Sequence, residues 1–137
     1  MTLVVDASVA AKWVLPEAGS VEAAALRTQD ADLIAPSLIV AEIGNALWKS
    51  AMRGDVAGAE VAHMLDIAAA HYARLIPLAD IANAAVKLAV DLEHPIYDCF
   101  YLALADRERA ELITADARMF AVARKAKVKA RLLSSDL

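Results

Sequence analysis

Asp6, Glu42, Asp98 and Asp116 are the side chains of this sequence whose types and positions best suit chemistry. Asp98 opens the stretch Tyr97-Asp98-Cys99-Phe100-Tyr101-Leu102-Ala103-Leu104-Ala105, and Asp116 closes the stretch Leu112-Ile113-Thr114-Ala115-Asp116. In the first, Tyr101, Leu102 and Ala105 follow Asp98 at helical spacing. Pro95 suits the helix start, and Asp98 in the first turn suits the positive end of the helix dipole. The second is a short apolar run, β-branched at Ile113 and Thr114, that reads as a strand. In parallel α/β sheets, helix N-termini and strand carboxyl ends share the edge where ligands bind. The two carboxylates, eighteen residues apart in sequence, are therefore expected to face one site.

Asp6 repeats the pattern, because Thr2-Leu3-Val4-Val5-Asp6 reads as a buried strand ending on an acid just before a helix start. An N-cap is the alternative role for Asp6. Glu42 stands among apolar neighbours near the start of another helix; a place on that helix's solvated side is its alternative. Acids gathered on one edge repel one another and need raised pKa values or a bound cation. Oxygen donors with no Cys or His at ligand spacing select a hard ion such as Mg²⁺ or Mn²⁺. Such an ion can orient a phosphodiester, stabilise charge on its oxygens and acidify an attacking water. Ser8 and Thr114, each two residues from an aspartate, could hold a carboxylate or a metal-bound water, or could serve as caps and turn hydrogen bonders.

The elements that must position these acids alternate along the chain. After the first strand comes a short helix from Val9 to Trp13, halted by Pro16, and then an alanine-rich helix from Glu17 to Gln29. Asp32–Pro36 reads as a strand, and Ser37 as the cap of a helix that runs to Arg53 and stops at Gly54. Asp55 is expected to cap the next helix, which reaches Tyr72. Arg74–Leu78 is a third strand candidate, whose Pro77 suits an edge or a terminus. Asp80 is expected to cap a helix with Ile81, Ala85, Leu88, Ala89 and Leu92 on one stripe. A helix from Ala117 to about Lys125 and a strand from Val128 to Leu133 finish the chain. This alternation predicts a single three-layer α/β/α domain over residues 1–137, around a mostly parallel sheet of four to five strands.

Composition narrows the class. Of 137 residues, 60% are hydrophobic and about a quarter are alanine, so some surface is expected to be covered by a partner. No uncharged apolar run approaches a membrane span, since the longest, Leu33 to Ala41, holds Pro36 and stops at Glu42. The N-terminus goes straight into a strand without the basic and apolar regions of a signal peptide. The one cysteine, Cys99, excludes an internal disulfide and a cysteine-based metal site. A cytoplasmic, oligomeric protein with no membrane segment is the expectation.

Four segments carry a resemblance: Val4-Val5-Asp6-Ala7-Ser8-Val9, the run from Pro36-Ser37 through Glu42 to Asn45, Tyr97-Asp98-Cys99-Phe100-Tyr101-Leu102-Ala103, and Leu112-Ile113-Thr114-Ala115-Asp116. In order and spacing they resemble the motifs of PIN-domain nucleases, and most of all the VapC-type toxins of bacterial toxin–antitoxin pairs. The resemblance covers essentially the whole chain. It implies a PIN-like fold and a metal-dependent endoribonuclease, with Asp6, Glu42, Asp98 and Asp116 as an acidic quartet holding Mg²⁺ or Mn²⁺ and Thr114 as an assisting hydroxyl. It also implies a homodimer held inactive by a cognate antitoxin. Lys12 could meet a phosphate or be a surface lysine on a short helix, and Asn45 is equally open.

The net charge of −4 is unfavourable for general attraction to RNA. The four proposed site acids account for all of it, since fourteen acids and fourteen bases remain without them. Residues 117 to 135 hold no acid and six bases, Arg118, Arg124, Lys125, Lys127, Lys129 and Arg131. This segment is a candidate for RNA backbone contact, or a solvated helix and a lysine-blunted edge strand. Tyr97 and Tyr101 could stack on bases or pack internally. Cys99 reads as a core residue, His63 and His71 as surface or interface, and Trp13 and Trp48 as core or interface anchors. His94, four residues before Asp98, is the one histidine within reach of the site.

Other functions fit less well. A haloacid-dehalogenase-type phosphatase with Asp6 as nucleophile needs a second aspartate where Ser8 stands, and a lysine near Asp116. A dinucleotide-binding domain needs a phosphate-cradling loop, which Gly19, Gly44, Gly54 and Gly58 do not form. A nuclease-like scaffold that binds RNA or protein without cutting has no reason to retain four mutually repelling acids.

Overall fold

The computed structural model describes residues 1–133. Its strands are β1 (Thr2–Val5), β2 (Asp32–Pro36), β3 (Arg74–Ile76), β4 (Glu111–Thr114) and β5 (Ala130–Leu132). They form one all-parallel sheet in the order β3-β2-β1-β4-β5. The central strands are the most apolar, as a sheet covered on both faces requires. Leu3, Val4, Val5, Leu112 and Ile113 are all buried. The edges fall to the two shortest strands. β3 stops at Ile76, and Pro77, which has no N–H to give a ladder, becomes the N-cap of the next helix.

The chain steps outward from β1 to β2 and β3, then returns across the sheet to β4 and β5. Right-handed crossovers in opposite directions put the helices of the two halves on opposite faces. β1 is thus the point where the strand order reverses, and the crevice at its carboxyl end is where such sheets bind ligands.

The helices are α1 (Ala7–Ala10), which tightens into a 3₁₀ turn over Ala11–Trp13, α2 (Ser20–Leu26), α3 (Ile39–Met52), α4 (Val61–Ala69), α5 (Leu78–Leu92), α6 (Ile96–Glu108) and α7 (Ala117–Lys125). Pro95 stands at the N-cap of α6 as expected. The seven residues from Cys99 to Ala105 are all buried, so α6 does not present one face to the core. It is apolar all round because it lies over β1, β2 and β4 while α5 packs beside it. Among the described residues no helix is long and apolar enough to cross a membrane.

Four local expectations are corrected. Ser37 does not cap α3; the N-cap is Leu38, and the Ser37 backbone N–H bonds Ile76 O across to β3. Asp55 caps nothing and instead meets Arg53 at 3.0 Å, while α4 starts after a 3₁₀ turn over Gly58–Glu60. Asp80 lies inside the first turn of α5 rather than ahead of it. The helix expected over Glu17–Gln29 shortens to α2, because Gly19 takes a left-handed φ of 86° and Ser20 Oγ donates to Glu17 O at 2.6 Å, making a turn of those residues. Gly54 (φ 80°) does end α3 as expected.

α5, α6 and α7 run into left-handed residues without glycine, at Glu93, Arg109 and Lys127. After each, an N–H reaches back five residues, as from Ala110 N to Ala105 O at 2.9 Å. An L-residue held there costs about 1 kcal/mol. Arg109 is exposed and makes no ion pair among the described residues. Arg109→Gly is therefore expected to stabilise the fold by about 1 kcal/mol, read as a Tm a few degrees higher in a thermal melt; a lower Tm would contradict the strain.

Candidate functional site

The site begins with a carboxylate taken almost fully out of water. Asp6 follows β1 directly and is 5% exposed. Both of its oxygens are held: Ser8 Oγ donates to Oδ1 at 2.6 Å and Thr114 Oγ1 to Oδ2 at 2.5 Å, with Val9 N adding a longer bond to Oδ1 at 3.3 Å. The two hydroxyls are themselves fixed by the end of β4. Ser8 Oγ accepts from Ala115 N at 2.9 Å, and Thr114 Oγ1 accepts from Asp116 N at 3.0 Å. The alternatives for Asp6 therefore hold together, since it caps α1 and also faces the site.

Asp116 is the N-cap of α7, its Oδ1 accepting from Arg118 N at 2.9 Å. Asp98 lies in the first turn of α6, within 2.7 Å of His94 Nε2. Glu42 lies in the first turn of α3, half-buried, and accepts from the buried Tyr101 hydroxyl at 2.5 Å. Asp6, Glu42, Asp98 and Asp116 line one concavity of about 180 Å³ together with Ser8 and Tyr101. Thr114, fully buried, stands behind it. All five expected residues are thus brought to the carboxyl edge of the sheet.

Burial dominates the electrostatics. It pushes the Asp6 carboxyl up from 3.8 to about 6, against the three hydrogen bonds that favour the anion, and the nearby Glu42 charge pushes the same way. Burial also raises Glu42, with Tyr101 opposing and Asp98 reinforcing the rise. Among the described residues, no three His, Cys, Asp or Glu side chains are drawn close enough to hold a metal as they stand. The hydrogen bonds account for this: Asp6 turns to its hydroxyls, Asp98 to His94 and Glu42 to Tyr101. The donor set itself fits a hard divalent cation, being oxygen-rich and anionic without a thiolate.

A family model of the PIN domain matches residues 3–125. The chain belongs to the PIN-domain family. It is 33% identical over 121 residues to Ribonuclease VapC3 of Pyrobaculum aerophilum, covering 87% of this chain and 92% of that protein. Two crystal structures share the fold. VapBC2 from Rickettsia felis, bound to a DNA fragment from its promoter, matches with a TM-score of 0.73 at 17% identity, over 98% of this chain and 100% of that one. PAE2754 from Pyrobaculum aerophilum matches with a TM-score of 0.65 at 23% identity, over 89% and 87%.

In this PIN domain, His94 reaches the site as its spacing from Asp98 allows, whereas Tyr101 stands closer to the acids than sequence reasoning places it. Tyr101 packs inside rather than stacking on a ligand, and its hydroxyl reaches Glu42. Tyr97 is 62% exposed on the same helix. Trp13 is the expected anchor, donating to Ala23 O at 2.8 Å and packing against Tyr72 and His71, whereas Trp48 is largely exposed. Cys99 is a core residue and His63 is exposed, as expected. The basic run mostly leaves the site. Arg131 pairs with Glu111 at the amino end of β4, and Lys127 and Lys129 border a separate crevice with Arg109. Arg118 meets a site acid, through its backbone N–H on Asp116, and Ser134 and Ser135 of that run lie outside the described residues.

The raised Asp6 pKa has a definite sign. The folded state favours the protonated acid, so stability falls as pH rises from about 4 to about 6 and stays lowered above that. The shift is worth about 3 kcal/mol. Without divalent ions, Asp6→Asn is expected to melt higher than the native protein at neutral pH and to lose most of this slope. Equal Tm values for the two proteins at pH 4 and pH 7 would show that the carboxylate is not held at such a cost.

Proposed function

We propose that this PIN domain is a divalent-metal-dependent endoribonuclease of the VapC type, with Asp6, Glu42, Asp98 and Asp116 as its catalytic acids. The observation that carries the reading is the convergence of these four carboxylates, from two strand ends and two helix starts, on one small concavity at the sheet's reversal point. The similarity to a VapC ribonuclease over most of both chains supports it. One PIN domain then accounts for the chain over residues 1–137.

Mg²⁺ or Mn²⁺ held by Asp6, Asp98 and Asp116, with Glu42 beside it, would supply positive charge to the phosphodiester and acidify the attacking water. The chain's own residues do the placing. Thr114 donates its proton to Asp6 and accepts from the Asp116 backbone N–H, and being fully buried it positions the two acids rather than touching the substrate. Ser8 does the same for Asp6 and Ala115. Tyr101 fixes one Glu42 oxygen and leaves the other to accept a proton from the water. His94 holds Asp98 by one oxygen and leaves the second free.

As a VapC-type protein the chain would act as the toxin of a toxin–antitoxin pair, cytoplasmic, homodimeric and silenced by a cognate antitoxin. The fold shared with the toxin of a VapBC complex is consistent with that partner.

Asp98→Ala is expected to reduce cleavage of a mixed structured RNA pool by at least a hundredfold while the circular dichroism spectrum stays native. Full activity in that variant would remove Asp98 from the site. Millimolar Mg²⁺ or Mn²⁺ is expected to raise the Tm by mass action, because it relieves the repulsion among the acids, and to do so far less in Asp6→Ala. An equal shift in both proteins would place the ion elsewhere. An RNA-binding protein that cuts nothing with either metal would be a scaffold instead.

A further inference from the structure

A second depression opens directly from the acid cluster. It shares Ala7, Ser8 and Glu42 with the first concavity, has a volume of about 470 Å³, and runs along α3. Glu42, Asn45, Ala46 and Lys49 line it from one stripe of α3, at the spacings that bring helical side chains to one face. Its floor is alanine, Ala7, Ala11 and Ala115, and these small side chains keep it open.

Along the α3 wall of this groove the charge changes sign away from the acids, while on the other wall Glu17, which also lines it, is paired with Lys12. Lys49 is exposed and makes no ion pair among the described residues. It stands seven residues beyond Glu42, or about 10 Å along the helix axis. On the facing wall, the Lys12 side chain is only 10% exposed, and its ammonium donates to Ala18 O at 2.7 Å and pairs with Glu17 at 3.3 Å. An ammonium carries three donors, so Lys12 keeps one after those bonds. The arrangement is acid, then neutral amide, then cation along one helix face.

We propose that this groove is a subsite for the RNA backbone, in which Lys49 holds the phosphate of a nucleotide next to the one being cut. The proposal rests on the ribonuclease reading above. The 10 Å rise along α3 separates Lys49 from the acids far enough for a neighbouring phosphate, not the scissile one. Its charge opposes the repulsion that the four acids exert on the strand. Asn45, between the two, offers a donor and an acceptor to the ribose 2′-hydroxyl or a base edge. Among the described residues no aromatic side chain lines the groove, so the contact is with backbone and edge, without stacking. Lys12 frames the opposite side and fixes the loop after the 3₁₀ turn.

The test separates binding from cutting. Binding of a fluorescent single-stranded RNA in EDTA would be followed by anisotropy across a salt series, for the native protein, Lys49→Gln, Lys49→Arg and, as a control away from the groove on α5, Lys87→Gln. Lys49→Gln is expected to bind several-fold more weakly, with the slope of log affinity against log salt reduced by about 0.7 for one lost phosphate contact, and with an unchanged Tm. Lys49→Arg and Lys87→Gln should match the native protein. In cleavage assays Lys49→Gln should raise KM and leave kcat nearly unaltered. Native affinity and salt slope in Lys49→Gln, or an equal loss in Lys87→Gln, would overturn the subsite. So would loss of affinity for an acidic peptide but not for RNA, which would give the groove to a protein partner. If the native protein binds RNA but does not cut it, and Lys49→Gln still weakens binding, the nuclease reading fails and the subsite stands.

Discussion

The Asp6 carboxylate, buried and shared between two hydroxyls, is the constraint on which the rest of this structure turns. It ends the central strand, caps the first helix and, through Ser8 and Thr114, ties the end of β1 to the end of β4. A buried charge is tolerable only when its lone pairs are met. The bonds that meet them here also set the backbone of Ala115 and Asp116. The same bonds that reduce the energetic penalty of burial therefore aim a second acid at the same space. Burial still outweighs them, and the carboxyl remains raised. The site is held in a state that a cation would relieve.

Around that point the elements divide the work. α6 is apolar on every side and carries no exposed face between Cys99 and Ala105, so it can lie across the middle of the sheet and bring Asp98 to the edge where β1 and β4 end. Its rigidity comes from packing, and Tyr101, in the same buried run, delivers a hydroxyl to Glu42 on the far helix. α3 differs, with one face buried through Ile39, Ile43 and Leu47 and another opening onto solvent. That makes it one wall of the groove that opens from the acid cluster.

The acids were legible in the sequence because strand ends and helix starts are local events. An apolar run followed by Asp, at Val5-Asp6 and again at Thr114-Ala115-Asp116, needs no knowledge of the fold to be placed on a strand's carboxyl end. The alternation of elements then gives the parallel sheet, which the structure bears out. The partners of the acids were less legible. Tyr101 and Glu42 are fifty-nine positions apart, and Asp6 and Thr114 one hundred and eight, so only the fold brings them together. Caps assigned by residue type failed at Ser37, Asp55 and Asp80 for a related reason. There the path of the chain was set by β3, by an ion pair and by Pro77, not by the helix end itself. Trp48 shows the limit of composition, since its size suggests a core or interface anchor and only the fold, by leaving it exposed on α3, takes it out of the core.

The clamp between β1 and β4 also sets an order of events during synthesis. β1 is made before its partner β4, which arrives with the Thr114 hydroxyl only after more than a hundred further residues. Parallel pairing over that separation closes late, because the loop entropy must be met before the contact gives anything back. A nascent chain halted before Thr114 already carries Asp6, Glu42 and Asp98, yet lacks the bonds that hold Asp6 in place. The arrangement that fixes Asp6 therefore forms only once β4 has been made.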